Sequence, residues 1–298
     1  MTTYQRFLEQ AGWGGGDSLV EILPAPLAKT VSWKTGTDQG PAAILAASDT
    51  LELFDDELLI DTYKIGLSTL APLPLSGLTS KEACAAIEKE VAGILARDRF
   101  PVLLGGEHTI SLPAVAACRA LYSDLHVLQI DAHLDLRDHN QGDPLSHACV
   151  MRRISDLGLE FTQVGIRSIS REEWRFVVAQ DLKPFTMSRI QSEPDWITRV
   201  VRHIKGPVYV TIDVDGLDAA VMPATGTPEP GGLSWRQLTD LLRIVAAHHR
   251  IVAMDCVEFS PVEGAHHAAY TAAKLVYRCL GYIFGDRLPQ EEWTNENC

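Results

Sequence analysis

The stretch LHVLQIDAHLDLRDHN (residues 125–140) determines both the fold and the chemistry expected of this chain. Its first six residues are mostly apolar and suit a buried strand. Asp131, His133 and Asp135 then follow at alternate positions. Because residues i, i+2 and i+4 of an extended backbone point the same way, the three side chains are predicted to face one point.

Further apolar runs alternate with helical patterns along the chain after Gly77. The other strands are predicted in FPVLLGG, FTQVGI, GPVYVTI and RIVAMDCVEF (residues 100–106, 161–166, 206–212 and 250–259). Helices are predicted within residues 79–98, 109–122, 171–180, 234–249 and 268–284, the first capped by Thr79 or Ser80. Continuous apolar strands, each followed by a helix, indicate a parallel sheet covered on both faces. With no linker in the sequence, we predict one α/β domain over residues 1–298, a three-layer α-β-α sandwich with a mainly parallel sheet.

Composition narrows the classes of partner and compartment. The formal net charge of −13 argues against binding to nucleic acid or to an anionic membrane surface. Met1 is followed by the polar segment TTYQRF, which is not typical of a signal peptide. No run approaches the roughly 18 apolar residues of a spanning helix, so a cytoplasmic protein is expected.

Four of the predicted strands end in acidic or histidine side chains. In open parallel sheets, ligands bind beyond the carboxyl ends of the strands, so these groups are expected to meet at one edge. The residues concerned are Glu107, His108, Asp131, His133, Asp135, Asp213, Asp215, Asp218 and Glu258.

This set of side chains predicts a two-metal site. Clustered carboxylates repel one another unless cations neutralise them, and carboxylates with imidazoles suit Mn²⁺ or another octahedral ion. Six candidate ligands exceed the needs of one ion, whereas two ions roughly 3.5–4 Å apart would use them. The candidate ligands are His108, Asp131, His133, Asp135, Asp213 and Asp215. Glu107 and Asp218 are left open, because each could instead cap or brace a loop.

Six motifs in a fixed order, covering nearly the whole chain, resemble the ureohydrolase family of arginases and agmatinases. They are GGEHT (105–109), DAHLD (131–135), SHACVMRR (146–153), TIDVDGLD (211–218), ATGTPEPGG (224–232) and VEFSP (257–261). DLRD (135–138), YTAAKL (270–275) and the segment 31–58 are similar to bacterial and archaeal agmatinases in particular. The chain departs from the family's usual residues at Glu107, Leu134, Thr211 and Ala224, which puts the shape of the pocket in question.

The resemblance implies an arginase-like fold, two Mn²⁺ ions per subunit and a homotrimer or homohexamer. Carried over by position, one ion would be held by His108, Asp131, Asp135 and Asp213. The other would be held by Asp131, His133, Asp213 and Asp215, with Asp131 and Asp213 bridging.

The resemblance also implies roles in hydrolysis of a guanidinium group. Water activated by the ions would attack the guanidinium carbon, with Glu258 paired to the guanidinium nitrogens. Asp135 would accept a proton and pass it to the leaving amine, and His147 would bind substrate and relay protons.

The segment LRDHNQGDPLSH (136–147) bears on the choice of substrate. It lacks the Asn/Ser-rich pattern with which arginase-like chains bind an α-carboxylate, so a small cationic guanidino compound is expected. Agmatine is favoured, giving urea and putrescine for polyamine biosynthesis. N1-aminopropylagmatine, guanidinobutyrate and arginine remain alternatives, and an acid would need a cation such as Arg137, Arg152 or Arg153. A non-catalytic ureohydrolase-like subunit and a different binuclear hydrolase are the alternatives of other kinds.

Overall fold

Eight strands form one central sheet in which every pair of neighbours is parallel. The computed structural model describes residues 4–9, 18–30 and 35–289. The strands are β1 Val20–Ala25, β2 Phe54–Asp55, β3 Ile60–Asp61, β4 Leu67–Thr69, β5 Phe100–Gly105, β6 His126–Ile130, β7 Glu160–Ile166, β8 Phe185–Thr186, β9 Val208–Asp213 and β10 Ile251–Val257. The order of strands in the central sheet is β4-β1-β5-β10-β9-β6-β7-β8, and β2 and β3 form a separate antiparallel hairpin.

Helices cover both faces of the sheet. They are α1 Gly40–Ser48, α2 Ser80–Ala96, α3 Ser111–Arg119, α4 Val150–Asp156, α5 Arg171–Ala179, α6 Met187–Ser192, α7 Trp196–His203, α8 Trp235–His248 and α9 His266–Phe284. Helices α2 to α5 pack on one face and α1 with α6 to α9 on the other, each face with its own apolar core. In β9, for example, Val210 enters one core and Tyr209 the other. Burial on both faces explains the continuous apolar runs of the sequence.

The predicted α/β sandwich is confirmed, and of the two predicted N-caps, Thr79 is the one that caps α2, in a capping box with Glu82. Three strands of the sheet were not predicted: β1, β4 and β8. Two of these are very short, β4 with three residues and β8 with two. Among the residues that the structure describes, no helix is both long and apolar enough to cross a membrane.

The four middle strands bring the chemistry of the chain together. β5, β10, β9 and β6 are adjacent in the sheet although they are far apart in the sequence. Because they are parallel, their carboxyl ends share one edge. The segments that follow them, starting at residues 106, 258, 214 and 131, therefore meet there.

Candidate metal centre

His108 is placed by a turn that only glycine allows. A Cβ on Gly106 would lie 1.9 Å from the backbone oxygen of Leu27, so the chain after β5 must pass tightly against the loop after β1. The amide of Glu107 then donates to the Leu27 oxygen at 2.8 Å. His108 follows at the start of a short 3-10 turn and is fully buried, with its side chain among the carboxylates of β6 and β9.

Two groups of side chains have the spacing of metal ligands, and they share Asp131. The first contains His108, Asp131 and Asp213, and the second contains Asp131, His133 and Asp215, with the ligand atoms of each group within 4.8 Å of one another. The Nδ1 atom of His108 lies 3.1 Å from Oδ2 of Asp131, and Nδ1 of His133 lies 3.5 Å from its Oδ1. Asp131 thus presents one oxygen to each group, the arrangement that a bridging carboxylate requires.

Asp135 joins the first group, since its Oδ2 lies 3.1 Å from Nδ1 of His108. Oδ2 of Asp213 lies 3.5 Å from the same nitrogen, while its Oδ1 accepts a hydrogen bond from the Asp215 amide at 2.8 Å. All six predicted ligands therefore lie together. The bridging roles of Asp131 and Asp213 stay predictions, because Oδ1 of each accepts a backbone hydrogen bond, from the His133 amide at 2.6 Å and from the Asp215 amide at 2.8 Å.

The buried Nδ1 atom of His108 fits a metal ligand. It faces three carboxylates yet forms no hydrogen bond with good geometry to any described group. Its other nitrogen, Nε2, is 2.8 Å from Oγ1 of Thr211, which fixes the ring with Nδ1 towards the acids. Histidine ligands are commonly held in this way by a second hydrogen bond. The donor set of carboxylate oxygens and imidazole nitrogens suits hard or borderline dications.

The carboxylates of the cluster favour cations on electrostatic grounds. Burial, followed by repulsion from Asp215 and Asp131, raises the pKa of Asp213 well above its ordinary value. Burial and the Asp131 carboxylate raise the pKa of Asp135 to about 7. Cations in the site would remove this penalty by neutralising the carboxylates.

These shifts predict how the stability of the metal-free protein depends on pH. The pKa of Asp135 is raised by burial to about 7, that of Glu258 by burial to about 8, and that of His133 by Asp131 and Asp215, against burial, to about 12. Above pH 6.5 the folded state therefore binds more protons than the unfolded state, and its stability falls as pH rises. His126 and His147, whose pKa values burial lowers to about 4, act in the opposite direction only below about pH 6.5.

We expect the Tm of EDTA-treated protein to fall by about 5 °C between pH 6.5 and 8.5. Added Mn²⁺ should raise the Tm more at pH 8.5 than at pH 6.5, because it neutralises the deprotonated cluster. Differential scanning calorimetry at matched ionic strength would measure both effects. A Tm that stays level or rises over this range would contradict the electrostatic account.

Two residues of the site have left-handed backbone. Asp135 has a φ of 51° and Glu258 a φ of 62°, a region that costs free energy for residues other than glycine. Glu258 follows β10 directly, and its buried Oε1 accepts a hydrogen bond from the His108 amide at 2.7 Å. This bond ties the end of β10 to the metal-ligand turn of β5.

A cavity of about 460 Å³ opens over the ligand cluster. In the second ligand group, His133 is the most accessible residue, with 25 % of its side chain exposed. It forms part of the floor of the cavity. His147 lies in a 3-10 turn on its wall, and Glu258 also lines it. The remaining lining residues are Asp135, Arg137, Asn140, Ala148, Ser168, Ile169, Ser170, Glu173, Asp213, Thr227 and Glu229. The structure thus brings every predicted catalytic residue to one cavity.

The two acids left open by the sequence brace loops. Oε2 of Glu107 accepts hydrogen bonds from the amides of Lys29 and Thr30 at 2.8 and 2.7 Å. Asp218 accepts from the amides of Ala220, Gly231 and Gly232. Neither belongs to a ligand group among the residues described.

The three arginines considered for an acidic substrate have different surroundings. Arg152 and Arg153 both pair with Asp138 and Asp156 outside the cavity. Arg137 lines the cavity beside Asp135 and His147. Only Arg137 of the three could therefore contact a substrate.

Arg167 supports the site in a way that the sequence did not indicate. Its guanidinium nitrogens lie within hydrogen-bonding distance of six backbone oxygens, five in the loop after β9 and one in β7. These belong to Gly165, Asp215, Gly216, Leu217, Glu229 and Pro230, at 2.7–3.4 Å. The same guanidinium thus fixes the backbone of the ligand Asp215 and the loop at Glu229 that lines the cavity.

Replacing Arg167 by lysine should weaken metal binding while the protein remains folded. A lysine ammonium has three donors and lacks the planar fork, so most of these oxygens would lose their partner. We expect the affinity for Mn²⁺ to fall by about 10- to 100-fold, the usual effect of removing an outer-shell contact. Titration of metal-free protein against a chelating dye would measure it, with the exposed Arg175→Lys as the matched control. Equal affinities of the two variants would contradict this role.

Comparisons with known proteins agree with the geometry. The pattern of the Arginase family matches residues 18–281. The chain is 36% identical over 286 residues to the N(1)-aminopropylagmatine ureohydrolase of Synechocystis sp., covering 93% of this chain and 94% of that protein. It is 36% identical over 271 residues to an agmatinase of Bacillus cereus, covering 89% and 91%.

The fold is likewise that of solved relatives. The crystal structure of agmatine ureohydrolase of Thermoplasma volcanium superimposes with a TM-score of 0.86 and 29% identity, over 96% of this chain and 97% of that chain. The predicted resemblance and fold are confirmed. The chain is a ureohydrolase and belongs to the arginase family.

Proposed function

We propose that this ureohydrolase hydrolyses agmatine to urea and putrescine with two Mn²⁺ ions per subunit. The observation that carries the proposal is a cavity lined by His147, the buried carboxylate of Glu258 and three of the candidate metal ligands, His133, Asp135 and Asp213. His108, Asp131 and Asp215 are grouped with these ligands. Carboxylate and imidazole donors without a thiolate favour Mn²⁺ over a structural zinc site. When bound, the ions would supply a water molecule activated for attack on the guanidinium carbon.

Glu258 is the residue proposed to bind the guanidinium. Burial raises the pKa of its carboxyl to about 8, so the group gains most from a cationic partner. Oε1 is engaged by the His108 amide, which orients the carboxylate at the cavity wall. A planar guanidinium matches a carboxylate through paired N–H donors.

Asp135 and His147 are proposed to handle protons. Asp135 lies at the metal-ligand cluster, with its Oδ2 3.1 Å from Nδ1 of His108, where its carboxylate can accept a proton from water and pass it to the departing amine. Burial lowers the pKa of His147 to about 4, so that its ring is neutral near pH 7 and can hydrogen-bond to substrate without a charge. In the balanced reaction, the oxygen of water adds to the guanidinium carbon and the bond between this carbon and the alkyl-bearing nitrogen breaks. Both protons of the water end on that nitrogen, which gives urea and an alkylammonium ion.

The charged residues that line the cavity favour a substrate with a cationic tail. Besides the proposed catalytic residues and metal ligands, the lining includes the acids Glu173 and Glu229, against one arginine, Arg137. A substrate with a free ammonium would be attracted by this balance, whereas an α-carboxylate would be repelled. The Bacillus cereus relative is named an agmatinase, in line with this choice.

N1-aminopropylagmatine is a second candidate. It is favoured by the name of the Synechocystis sp. relative, which covers nearly the whole chain. The cavity volume of about 460 Å³ lies in the ordinary range of small-molecule sites and does not demand the shorter compound. A homotrimer or homohexamer, a cytoplasmic location and a role in polyamine biosynthesis complete the proposal.

The deciding experiment is urea release by Mn²⁺-loaded protein at equal concentrations of agmatine, N1-aminopropylagmatine, arginine and 4-guanidinobutyrate. An EDTA-treated sample serves as the metal control. We expect kcat/KM for agmatine to exceed that for arginine and the guanidino acid by at least about 100-fold, since both of these compounds carry a carboxylate that the acids of the lining would repel. Preference for aminopropylagmatine would select the second candidate, and no urea from any compound would refute the proposal.

A further inference from the structure

Thr30 contacts His147 across 117 positions of sequence. Its Oγ1 atom lies 2.9 Å from Nδ1 of the imidazole and 3.1 Å from the backbone nitrogen of the same residue. A single hydroxyl thus touches both the ring and the main chain of a cavity-lining histidine. Thr30 follows β1, outside the segments in which the motifs of the site lie.

The hydroxyl is held in place by the metal-ligand turn. Glu107 is fully buried, and its Oε2 accepts from the amide of Thr30 at 2.7 Å. The backbone of Glu107 is itself bound to Leu27 in the same loop, with its amide donating at 2.8 Å. Two contacts therefore fix the loop that presents Thr30, and Glu107 immediately precedes the ligand His108.

The hydrogen bonds around His147 allow two hydroxyls to donate to its ring. The backbone N–H of His147 can only donate, so Oγ1 of Thr30 accepts from it and retains its own proton. Nδ1 of His147, 2.9 Å away, is an acceptor within reach of that proton. The Ser146 hydroxyl, 3.4 Å from the same Nδ1, accepts from Asn140 and also retains a proton. Nδ1 of His147 therefore has two hydroxyls beside it that can donate to it.

We infer that Thr30 is a positioning residue that keeps neutral His147 in the tautomer with its proton on Nε2. The ring then offers an N–H donor, and the hydroxyl clamp fixes its angle relative to the main chain. An N–H donor suits the nitrogen of the leaving amine, which gains a lone pair as its bond to the guanidinium carbon breaks. The tautomer of His147 does not depend on the reaction, whereas the role of its Nε2–H in catalysis rests on the proposed function.

The tautomer can be measured directly. Long-range ¹H–¹⁵N spectra of uniformly labelled protein loaded with diamagnetic Mg²⁺ distinguish the two nitrogens of each neutral histidine. The His147 signals are identified by their loss in His147→Asn. We expect the wild type and Thr30→Ser to carry the proton on Nε2, and Thr30→Val to populate both tautomers.

Kinetics of the Mn²⁺-loaded protein complete the test. Thr30→Val should lower kcat by about 10- to 100-fold with little change in KM, as expected from a misplaced catalytic group, and Thr30→Ser should restore most of it. Thr50→Val, an exposed threonine at the end of α1, is the matched control.

Two results would overturn the inference: a wild-type His147 with its proton on Nδ1, or a Thr30→Val protein with unchanged tautomer. The first needs no Thr30 variant and so holds even if Thr30→Val fails to fold. Absence of urea from wild-type protein would instead refute the proposed function and leave the spectra to decide the tautomer.

Discussion

Replacing Asp213 by asparagine is expected to lower kcat by about 1000-fold. Its Oδ2 lies 3.5 Å from Nδ1 of His108, within the first ligand group, and an amide at this position lacks the charge that holds a dication. Metal chemistry supplies several kcal/mol of transition-state stabilisation, and each 1.4 kcal/mol is a factor of about ten in rate. Asparagine keeps the shape and can still accept from the Asp215 amide, so the loop should persist.

The same substitution should have the opposite effect on the metal-free protein. Burial and the carboxylates of Asp215 and Asp131 raise the pKa of Asp213, which means that its ionised form is unfavourable in the folded state. Removing it should leave the Tm of EDTA-treated protein equal to or above that of the wild type at pH 8.

Metal content by mass spectrometry, kcat and Tm together test these expectations. Asp181→Asn is the matched control, because the side chain of Asp181 is 86 % exposed and lies outside the cavity. Two bound ions per chain and a kcat within tenfold of wild type in Asp213→Asn would show that the carboxylate is not an essential ligand.

Glu258→Gln is expected to reduce kcat/KM for the guanidino substrate by about 100- to 1000-fold. Removing one charge of a buried, hydrogen-bonded ion pair usually costs 2 to 5 kcal/mol. Glutamine can still accept from the His108 amide with its side-chain oxygen, so the turn that carries the ligand should be retained. The loss should therefore come from the missing carboxylate charge opposite the guanidinium.

Steady-state kinetics with Mn²⁺ titration separate binding from metal loss. We expect the Mn²⁺ affinity of Glu258→Gln to stay within about threefold of wild type, because the side chain is outside both ligand groups. The exposed Glu263→Gln is the control on the loop that follows. Unchanged kcat/KM, or a loss explained wholly by weaker Mn²⁺ binding, would argue against guanidinium recognition by Glu258.

The middle of the sheet was predictable, whereas its edges were not. β5, β6, β9 and β10 are buried on both faces and so read as continuous apolar runs. β1 contains Glu21 as well as Pro24, so it does not form a continuous apolar run, yet it pairs with both β4 and β5. The carboxyl end of β1 also carries no acid of the cluster, so the pattern of strand-end acids did not identify β1 either.

The ligand set of the site follows from local spacing, but its supports do not. Asp131, His133 and Asp135 alternate along one extended segment, and that regularity is visible in the sequence. Thr30 and Arg167 act instead through bonds between one side chain and backbone groups far along the chain. Such partners depend on where the loops come to lie, and no residue pattern records them.

The position of β10 between β5 and β9 has a consequence for how the protein is made. β5 and β9 carry His108 and Asp213 at their ends, and β10 is the strand that pairs with both. Until residues 251–257 have emerged from the ribosome, no strand joins β5 to β9, so His108 and Asp213 are not held near each other. Pairing over long sequence separations is slow and occurs late. We therefore expect metal ions to be bound after synthesis, once the sheet is complete, and not to nucleate its folding.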